Sequence, residues 1–280
     1  MEAKKCLEGH CIPNFEEPGK AVVAMDAMVA HRQWRDEPLE EGSFLGSVDK
    51  LMAEEVLTRI RQTGEHATGG FEARGILQAY GIPMPKSELA ETAIEAQDAA
   101  SKIGYPAVLK IASPQILHKS TIGGVALNLN KTPEQVGDAF ELMMHRAAQK
   151  RPDASIRGCQ VLPMIKGGRE VIIGISLDEQ FNHLVMFGLG GTMVEGMKDV
   201  TFRIAPINRK DCADMISEIR GTNFLQREPG IDVDAIVDVL LRVSKLALDF
   251  PEIQELDINP LVVYPPSQGA LSLDMRISLI

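Results

Sequence analysis

The sequence predicts an α+β, or mixed α/β, protein from three observations. Apolar, strand-like stretches alternate with amphipathic helical segments along most of the 280 residues. Some strand-like stretches follow one another directly, so strands outnumber those of a simple βαβ repeat. Hydrophobic residues make up 45% of the chain, which is enough to form a sizeable core.

Amphipathic helices are predicted where apolar residues recur at helical spacing. Pro18 suits a first helical turn, and Gly81 and Gly104 suit the positions just after a helix. Residues 132–135, Thr-Pro-Glu-Gln, predict a capping box that opens another helix. The predicted helices are 18–33, 49–62, 71–80, 91–103, one from Pro133 onward, and 234–248.

Buried or half-buried strands are predicted between these helices. Residues 123–130 alternate apolar and polar side chains and are the expected partner of residues 106–112. The turn 166–169, Lys-Gly-Gly-Arg, predicts a hairpin between 160–165 and 170–176. The other predicted strands are 183–191, 255–263 and 272–278.

Composition excludes several classes of function. The formal net charge of −10 argues against a nucleic-acid-binding protein. No apolar run approaches the roughly 20 residues that span a bilayer, and no signal peptide is expected. Four scattered cysteines predict a reduced, cytoplasmic protein, although Cys6, His10 and Cys11 lie close enough in sequence for a metal site to be the alternative.

The loop after the strand 106–112 carries residues typical of phosphate binding. Lys110 lies in the strand, and Lys119, Gly123 and Gly124 follow in the loop. Glycine lets main-chain N–H groups approach phosphate oxygens, and lysine supplies a positive charge. The spacing matches neither the Walker A pattern nor the GxGxxG pattern. A strand lysine extending to solvent and a simple glycine turn therefore remain the alternative. His118 is either a solvated side chain or a nucleophile that accepts a phosphoryl group.

Oxygen-bearing side chains near the C-terminus form a second candidate site. Glu255, Asp257 and Asn259 alternate along a predicted strand and therefore share one face, and Asp274 follows. Carboxylates together with phosphate oxygens are typical ligands of Mg²⁺, and a solvated strand face is the alternative. Glu170 is either a nucleotide contact or a charged residue at a sheet edge. The glycine-rich residues 188–191 are either a second phosphate loop or a tight turn.

Several ordered blocks resemble the ATP-grasp subunit or domain of NDP-forming acyl-CoA synthetases, of the ADP-forming acetate–CoA ligase type. The blocks are EARGILQAYGIPMP, IGYPAVLKIASPQILHKSTIGGVALNL, GREVIIG, VMFGLGGTMVE, KDVTFRIAP, ELDINPLVV and LDMRI, between residues 71 and 278. The resemblance implies an ATP-grasp fold over residues 41–280, in which two subdomains clasp a nucleotide and the smaller lid spans about 105–160. Residues 1–40 resemble the end of a flavodoxin-like CoA-ligase domain plus a linker.

The resemblance also implies roles for single residues. Lys110 matches the lysine that binds nucleotide phosphates, and His118 matches the histidine that relays phosphate. The mobile glycine loop corresponds to Gly123 and Gly124. The hinge that meets adenine and the acid after it correspond to Gln160, Val161, Leu162, Met164 and Glu170. The magnesium ligands correspond to Asn259 and Asp274, with Asp257 close by. The family's glycine-rich stretch is shortened here to FLQREPG, which leaves the role of Arg227 open.

The implied reaction interconverts acyl-CoA, ADP and phosphate with the acid, CoA and ATP through an acyl phosphate and a phosphohistidine. Mg²⁺ and ATP or ADP are the expected cofactor and substrates, and an α-type subunit or domain that binds CoA is the expected partner. Two alternatives remain open: another ATP-grasp carboxylate ligase, which has no need of His118, and a regulatory module that senses nucleotide. The acyl substrate, the choice between ATP and GTP, and the oligomeric state are not encoded in these motifs.

Overall fold

The computed structural model divides the chain into two compact units, Met1–Glu41 and Gly42–Ile280. The division falls close to the end of residues 1–40, which the sequence analysis assigned to a domain remnant plus a linker. The assignment of residues 1–40 as a domain remnant stays a prediction. The described residues are 6–7, 9–10, 12–36, 46–62, 67–71, 73–116, 119–130, 132–191, 199–222, 225 and 227–280.

The first unit contains the helix α1 (Pro18–Asp36), which confirms the predicted helix and extends it by one turn. Its predicted apolar face includes Val22, Met25 and Met28, and all three side chains are exposed. None of the helices in the described parts of either unit is both long enough and apolar enough to cross a bilayer.

The second unit contains two antiparallel sheets and the helices that cover them. The helices are α2 (Lys50–Gln62), α3 (Arg74–Ala79), α4 (Ala93–Ile103), α5 (Pro133–Lys150), α6 (Arg209–Glu218) and α7 (Val233–Asp249), with a 3-10 helix at Lys119–Ile122. The strands are β1 (Ala67–Gly69), β2 (Glu88–Ala90), β3 (Ala107–Ala112), β4 (Val125–Leu129), β5 (Gly158–Pro163), β6 (Arg169–Asp178), β7 (Asn182–Leu189), β8 (Val200–Ile204), β9 (Ile253–Val263), β10 (Ala270–Ser272) and β11 (Met275–Leu279).

The larger sheet has the order β1-β11-β9-β6-β7-β8, and β10 pairs with β9. Successive side chains along each strand point to opposite faces of the sheet. On β6, Val171, Ile173 and Ile175 are buried in the main core, which also contains the apolar residues of α2, α3, α6 and α7. The intervening residues of β6 point to the opposite face of the sheet. Asp257 of β9 is the register partner of Gly174 of β6, so its side chain lies on that same face.

The smaller sheet has the order β2-β5-β3-β4. The apolar faces of α4 and α5 cover it, and the predicted inward side chains Val136, Phe140 and Met143 are buried there. The pairing of β3 with β4 confirms the predicted partnership. The sheet also includes β2, which lies before the range of about 105–160 predicted for the small subdomain.

The cap of α5 is half of the predicted box. Thr132 Oγ1 accepts a hydrogen bond from Gln135 N at 3.4 Å. The side chain of Gln135 does not return to Thr132, because its Oε1 accepts from Asn130 N at 3.0 Å. The helix start is therefore as predicted, and the glutamine ties it to Asn130, the residue that follows β4.

The predicted hairpin at residues 166–169 is wrong. Strand β5 pairs with β2 and β3 of the smaller sheet, whereas β6 pairs with β7 and β9 of the larger sheet. Gly167 and Gly168 have positive φ angles of 74° and 78°, so the turn-forming conformation is present. The turn redirects the chain from one sheet to the other, and it joins the two subdomains.

Candidate functional site

Lys110 joins the two sheets through its side-chain ammonium group. Its Nζ donates a hydrogen bond to Leu273 O at 2.9 Å and lies 3.7 Å from Asp274 Oδ2. Only 17% of the side chain is exposed. Burial lowers the pKa of Lys110, the Asp274 carboxylate raises it in opposition, and the positive charges of Lys119 and Arg74 lower it further.

Asp274 lies in a break between two strands. The predicted strand 272–278 is interrupted at Leu273 and Asp274, which separate β10 from β11. The break is fixed by main-chain hydrogen bonds from Leu273 N to Pro260 O at 3.0 Å and from Asn259 N to Asp274 O at 3.2 Å. Asp274 Oδ1 accepts from Met275 N at 3.0 Å. The break therefore aims the carboxylate out of the sheet, towards the lysines of the smaller sheet.

Lys119 is a buried lysine beside the same carboxylate. Its side chain is 7% exposed, and its Nζ lies 3.7 Å from Asp274 Oδ1. Gly70 has a φ of +65°, and a Cβ built there would lie 3.0 Å from Lys119 Nζ. Glycine at position 70 thus leaves the room that the ammonium group occupies. The sequence analysis named Lys119 among the candidate phosphate-binding residues of this loop, with a solvated lysine as the alternative, and its burial could not be seen from sequence.

Arg74 is a further cation that sequence reasoning missed. It is the first residue of α3, and its Nη2 donates to Pro85 O at 2.6 Å. Burial lowers its pKa, and the Asp274 carboxylate raises it in opposition. Arg74, Gln160 and Asp274 line one cavity together with Gly70, Leu77, Met84, Ser272, Leu273 and Met275.

The predicted glycine loop is closed by its own hydrogen bonds. Gly124 N donates to Lys119 O at 2.8 Å, and Gly123 N donates to Ser120 O at 3.1 Å. A Cβ at Gly124 would lie 2.7 Å from Ile111 Cγ2. Both N–H groups are therefore used within the loop in this structure, and their role as phosphate donors stays a prediction.

The predicted hinge lies on β5, directly beside Lys110. Gln160 is the register partner of Lys110, is 4% exposed, and donates from Nε2 to Ser87 Oγ at 3.0 Å. The side chains of Val161 and Leu162 are buried in the structure. Met164 N donates to Pro106 O at 2.8 Å. The role of this segment in binding adenine stays a prediction.

The predicted magnesium ligands form a crowded acidic group at the same place. Burial raises the pKa of Asp257, Arg276 and a hydrogen bond from Asn259 lower it in opposition, and the Asp274 and Glu255 carboxylates raise it further. No group of three or more His, Cys, Asp and Glu side chains close enough to hold a metal occurs in the described part of the chain. Two carboxylates with an amide oxygen nonetheless fit Mg²⁺, because this ion needs only one or two protein carboxylates beside phosphate and water. A divalent cation would also offset the repulsion between these carboxylates, which adds to the effect of burial on the pKa of Asp257.

Glu170 is brought to the glycines that end β7. Gly190 N donates to Glu170 O at 2.9 Å, and a Cβ at Gly191 would lie 3.5 Å from Glu170 Oε2. The main-chain oxygen of Arg227 accepts from Arg169 Nη2. The side chain of Arg227 is exposed. The predicted nucleotide contact of Glu170 stays a prediction.

His118, the predicted phosphoryl carrier, lies outside the described residues. Ile116 precedes it and is 2% exposed, and Lys119 follows it beside Asp274.

The fold and this junction of two sheets define the class of protein. A family model for the ATP-grasp domain matches residues 59–279. The chain belongs to the ATP-grasp family, in the group that contains the β subunits of ADP-forming acetate–CoA ligases. Recognition of the family and the fold class from sequence is thereby confirmed.

Three proteins place the chain within this group. It is 47% identical to the acetate–CoA ligase [ADP-forming] II subunit beta of Pyrococcus furiosus, over 80% of this chain and 96% of that one. It is 38% identical to acetate–CoA ligase [ADP-forming] I of Archaeoglobus fulgidus, over 99% of this chain but only 40% of the longer relative. The third is a solved structure, the dinucleotide-forming acetyl-coenzyme A synthetase 1 of Ca. Korarchaeum cryptofilum with coenzyme A and Mg-AMPPCP, its phosphohistidine segment pointing towards the nucleotide binding site. It has a TM-score of 0.70 and 35% identity, and the match covers 81% of this chain and all of that one.

Proposed function

We propose that this chain is the nucleotide-binding part of an NDP-forming acyl-CoA synthetase. One observation carries the proposal: Lys110 of the smaller sheet and Asp274 of the larger sheet meet, with Nζ and Oδ2 3.7 Å apart. A phosphate-binding lysine and a metal-binding carboxylate must share one cleft if they are to act on the same polyphosphate. The relationship to ligase β subunits agrees with this role.

In this role, the chain's own residues hold the nucleotide by its phosphates. Lys110 neutralises phosphate charge. Gln160, its register partner, belongs to the hinge segment that contacts the base. The residues that would hold Mg²⁺ are Asn259 and Asp274, with Asp257 next to them. When bound, the ion supplies further neutralisation of the polyphosphate. Phosphoryl transfer depends mainly on such positioning and charge neutralisation.

His118 carries the phosphoryl group in this proposal. In the direction of ATP synthesis, the bond between an imidazole nitrogen and phosphorus breaks. A terminal oxygen of ADP forms the new bond to the same phosphorus, and the imidazole returns to its neutral form. The buried ammonium groups of Lys110 and Lys119 stabilise the negative charge on the transferred phosphoryl group. A solved relative described with a phosphohistidine segment supports this chemistry.

The partner in the proposal is an α-type subunit or set of domains that binds CoA and forms the acyl phosphate. The chain corresponds to 40% of the longer Archaeoglobus relative, so the remaining chemistry has a place outside it. We infer a reducing, cytoplasmic setting, because Cys6, Cys159 and Cys212 are free thiols and are the cysteines that the described residues include.

Reconstitution tests the proposal. The chain alone is expected to bind ADP by calorimetry, more tightly with Mg²⁺, and to form no ATP from acetyl-CoA, ADP and phosphate. Addition of the CoA-ligase partner from the same organism is expected to start ATP formation. Failure to bind ADP would overturn the proposal, and so would ATP formation by the chain alone. Phosphate release dependent on an amine acceptor would instead identify a carboxylate–amine ligase.

A further inference from the structure

The junction between the sheets gathers three cations around one carboxylate. Lys110, Lys119 and Arg74 all interact with the single carboxylate of Asp274, in the part of the chain that the structure describes. Lys119 is 7% exposed and Lys110 17% exposed. Cations withdrawn from water are stable only when they are paired or bind an anion. The cluster is therefore suited to receive further negative charge.

We propose that Lys119 is a second phosphate-binding lysine, and that the Asp274 carboxylate stands in for a phosphate group while the nucleotide is absent. The inference rests on the proposed function, which assigns the site to a nucleotide. It adds Lys119 to the phosphate-binding residues, and it adds the replacement of Asp274 by phosphate as the partner of the lysines. The ligand class is the polyphosphate of a nucleoside diphosphate or triphosphate.

The distances favour an exchange of partners. Asp274 bridges the two lysines, with Oδ2 3.7 Å from Lys110 Nζ and Oδ1 3.7 Å from Lys119 Nζ. Charge-assisted hydrogen bonds are typically about 2.7–2.9 Å long, so both contacts are loose ion pairs. A diphosphate presents more oxygen atoms over a longer span than a carboxylate, and it can approach both ammonium groups closely at the same time.

The position of the cluster agrees with a nucleotide tail. Gln160, in the predicted hinge, is the register partner of Lys110, and it lines the same cavity as Arg74 and Asp274. A nucleotide whose base meets the hinge therefore has its phosphates directed towards the lysines. Gly70 keeps the space around Lys119 Nζ free of a side chain.

Metal-free calorimetry separates this role from a structural one. With a chelator present, ADP and adenosine are titrated into the wild type, Lys119→Gln, Asp274→Asn and the control Lys102→Gln. Lys102 is an exposed lysine of the same subdomain, paired with Glu88 at 3.5 Å, so its loss changes net charge equally. Adenosine reports the integrity of the base pocket without phosphates.

Lys119→Gln is expected to weaken ADP binding by about tenfold to a hundredfold and to leave adenosine binding unchanged. Asp274→Asn is expected to strengthen metal-free ADP binding by about tenfold, because a competing anion is removed, and to abolish the gain from added Mg²⁺. Lys102→Gln is expected to match the wild type.

The inference is overturned if Lys119→Gln binds ADP as the wild type does, or if it weakens ADP and adenosine equally. It is also overturned if Asp274→Asn weakens ADP binding without metal. These failures differ from failure of the proposed function, in which the wild type itself does not bind ADP. Should Lys119→Gln not fold, the Asp274→Asn arm still decides the matter.

Discussion

Lys110 Nζ in the smaller sheet donates a hydrogen bond to Leu273 O in the larger sheet, at 2.9 Å. The two residues are 163 positions apart in sequence, so the contact depends on the docking of one subdomain against the other. The same side chain lies 3.7 Å from Asp274. The lysine thus has two kinds of acceptor, and one of them, the carboxylate of Asp274, is a predicted metal ligand.

Replacing Lys110 with methionine is expected to weaken ADP binding by about tenfold to a hundredfold, because a charge-assisted contact with phosphate contributes about 1.5–3 kcal/mol. Methionine keeps most of the length and volume of the side chain, so the packing around position 110 is retained. Calorimetry with ADP and Mg²⁺ measures the change. The surface variant Lys102→Gln is the control, and equal affinities for Lys110→Met and wild type would contradict the assignment.

Asp257→Asn is expected to stabilise the metal-free protein at pH 7. Burial raises the pKa of Asp257, and the Asp274 and Glu255 carboxylates add to that effect. A raised folded-state pKa means that stability is lost as the pH rises from the unfolded pKa through the folded one, so the ionised carboxylate is unfavourable at pH 7. Thermal unfolding with and without Mg²⁺ measures the effect. Mg²⁺ is expected to raise the melting temperature of the wild type more than that of the variant.

Asp138→Asn is the matched control, because Asp138 is an exposed carboxylate on α5. It is expected to respond to Mg²⁺ as the wild type does. If Mg²⁺ stabilises Asp257→Asn and the wild type equally, Asp257 has no part in the metal site.

Gly124→Ala is expected to lower the free energy of unfolding by about 1–3 kcal/mol, the usual range for an inserted methyl group in a packed site. The new Cβ would lie 2.7 Å from Ile111 Cγ2 and 3.0 Å from Lys119 O. The loop that holds Lys119 must shift to relieve these contacts, so ADP binding is expected to weaken as well. Denaturant titration measures stability, and Gly19→Ala is the control, since nothing lies within 4 Å of a Cβ there.

Local sequence patterns predicted most elements of the fold but not how the strands are distributed between the sheets. The apolar runs 160–165 and 170–176 are both strands, as predicted. Their hairpin is wrong because period-2 alternation shows that a strand has a buried face and does not show which sheet buries it. The glycines of the turn allow a tight reversal and equally allow a passage between subdomains.

The candidate site shows the same limit. Spacing and chemistry identified Lys110, and the structure brings it to Asp274, as the nucleotide hypothesis requires. Lys119 was named only as a further lysine of the predicted phosphate loop, and Arg74 was not named as a site residue, because their proximity to Asp274 arises only in the folded chain. A lysine four residues before a glycine pair was the available hint for Lys119. For Arg74 the local sequence contains none, since a basic residue at a helix start is ordinarily solvated.

His118→Asn is expected to abolish acid-labile, base-stable phosphate on the protein after incubation with γ-labelled Mg·ATP and the partner. Asparagine retains polarity but cannot accept a phosphoryl group. His145→Asn is the matched control, because His145 is an exposed histidine on α5. Labelling of His118→Asn at the wild-type level would contradict the relay role, whereas unchanged ADP binding by the variant would show that the nucleotide site itself is intact.

Tyr80→Phe is expected to lower the free energy of unfolding at pH 7 by about 1.5–3 kcal/mol, since the buried hydroxyl donates to a charged acceptor. Tyr80 is fully buried, and its Oη lies 2.8 Å from Asp249 Oδ2. Burial raises the pKa of Asp249, but hydrogen bonds from Lys245 and Tyr80 and nearby lysine charges outweigh it, so the pKa falls below its ordinary value of 3.8.

The sign of the pH dependence follows from that depressed pKa. The stabilising contribution of Asp249 is fully present above the unfolded-state pKa and is lost as the pH falls through the folded-state pKa. The destabilisation by Tyr80→Phe is therefore expected to shrink below about pH 3.8, where the carboxylate begins to protonate. Denaturant titrations of wild type, Tyr80→Phe and the exposed control Tyr105→Phe across this range measure it. A penalty that is constant with pH would show that the hydroxyl stabilises the protein independently of the charge on Asp249.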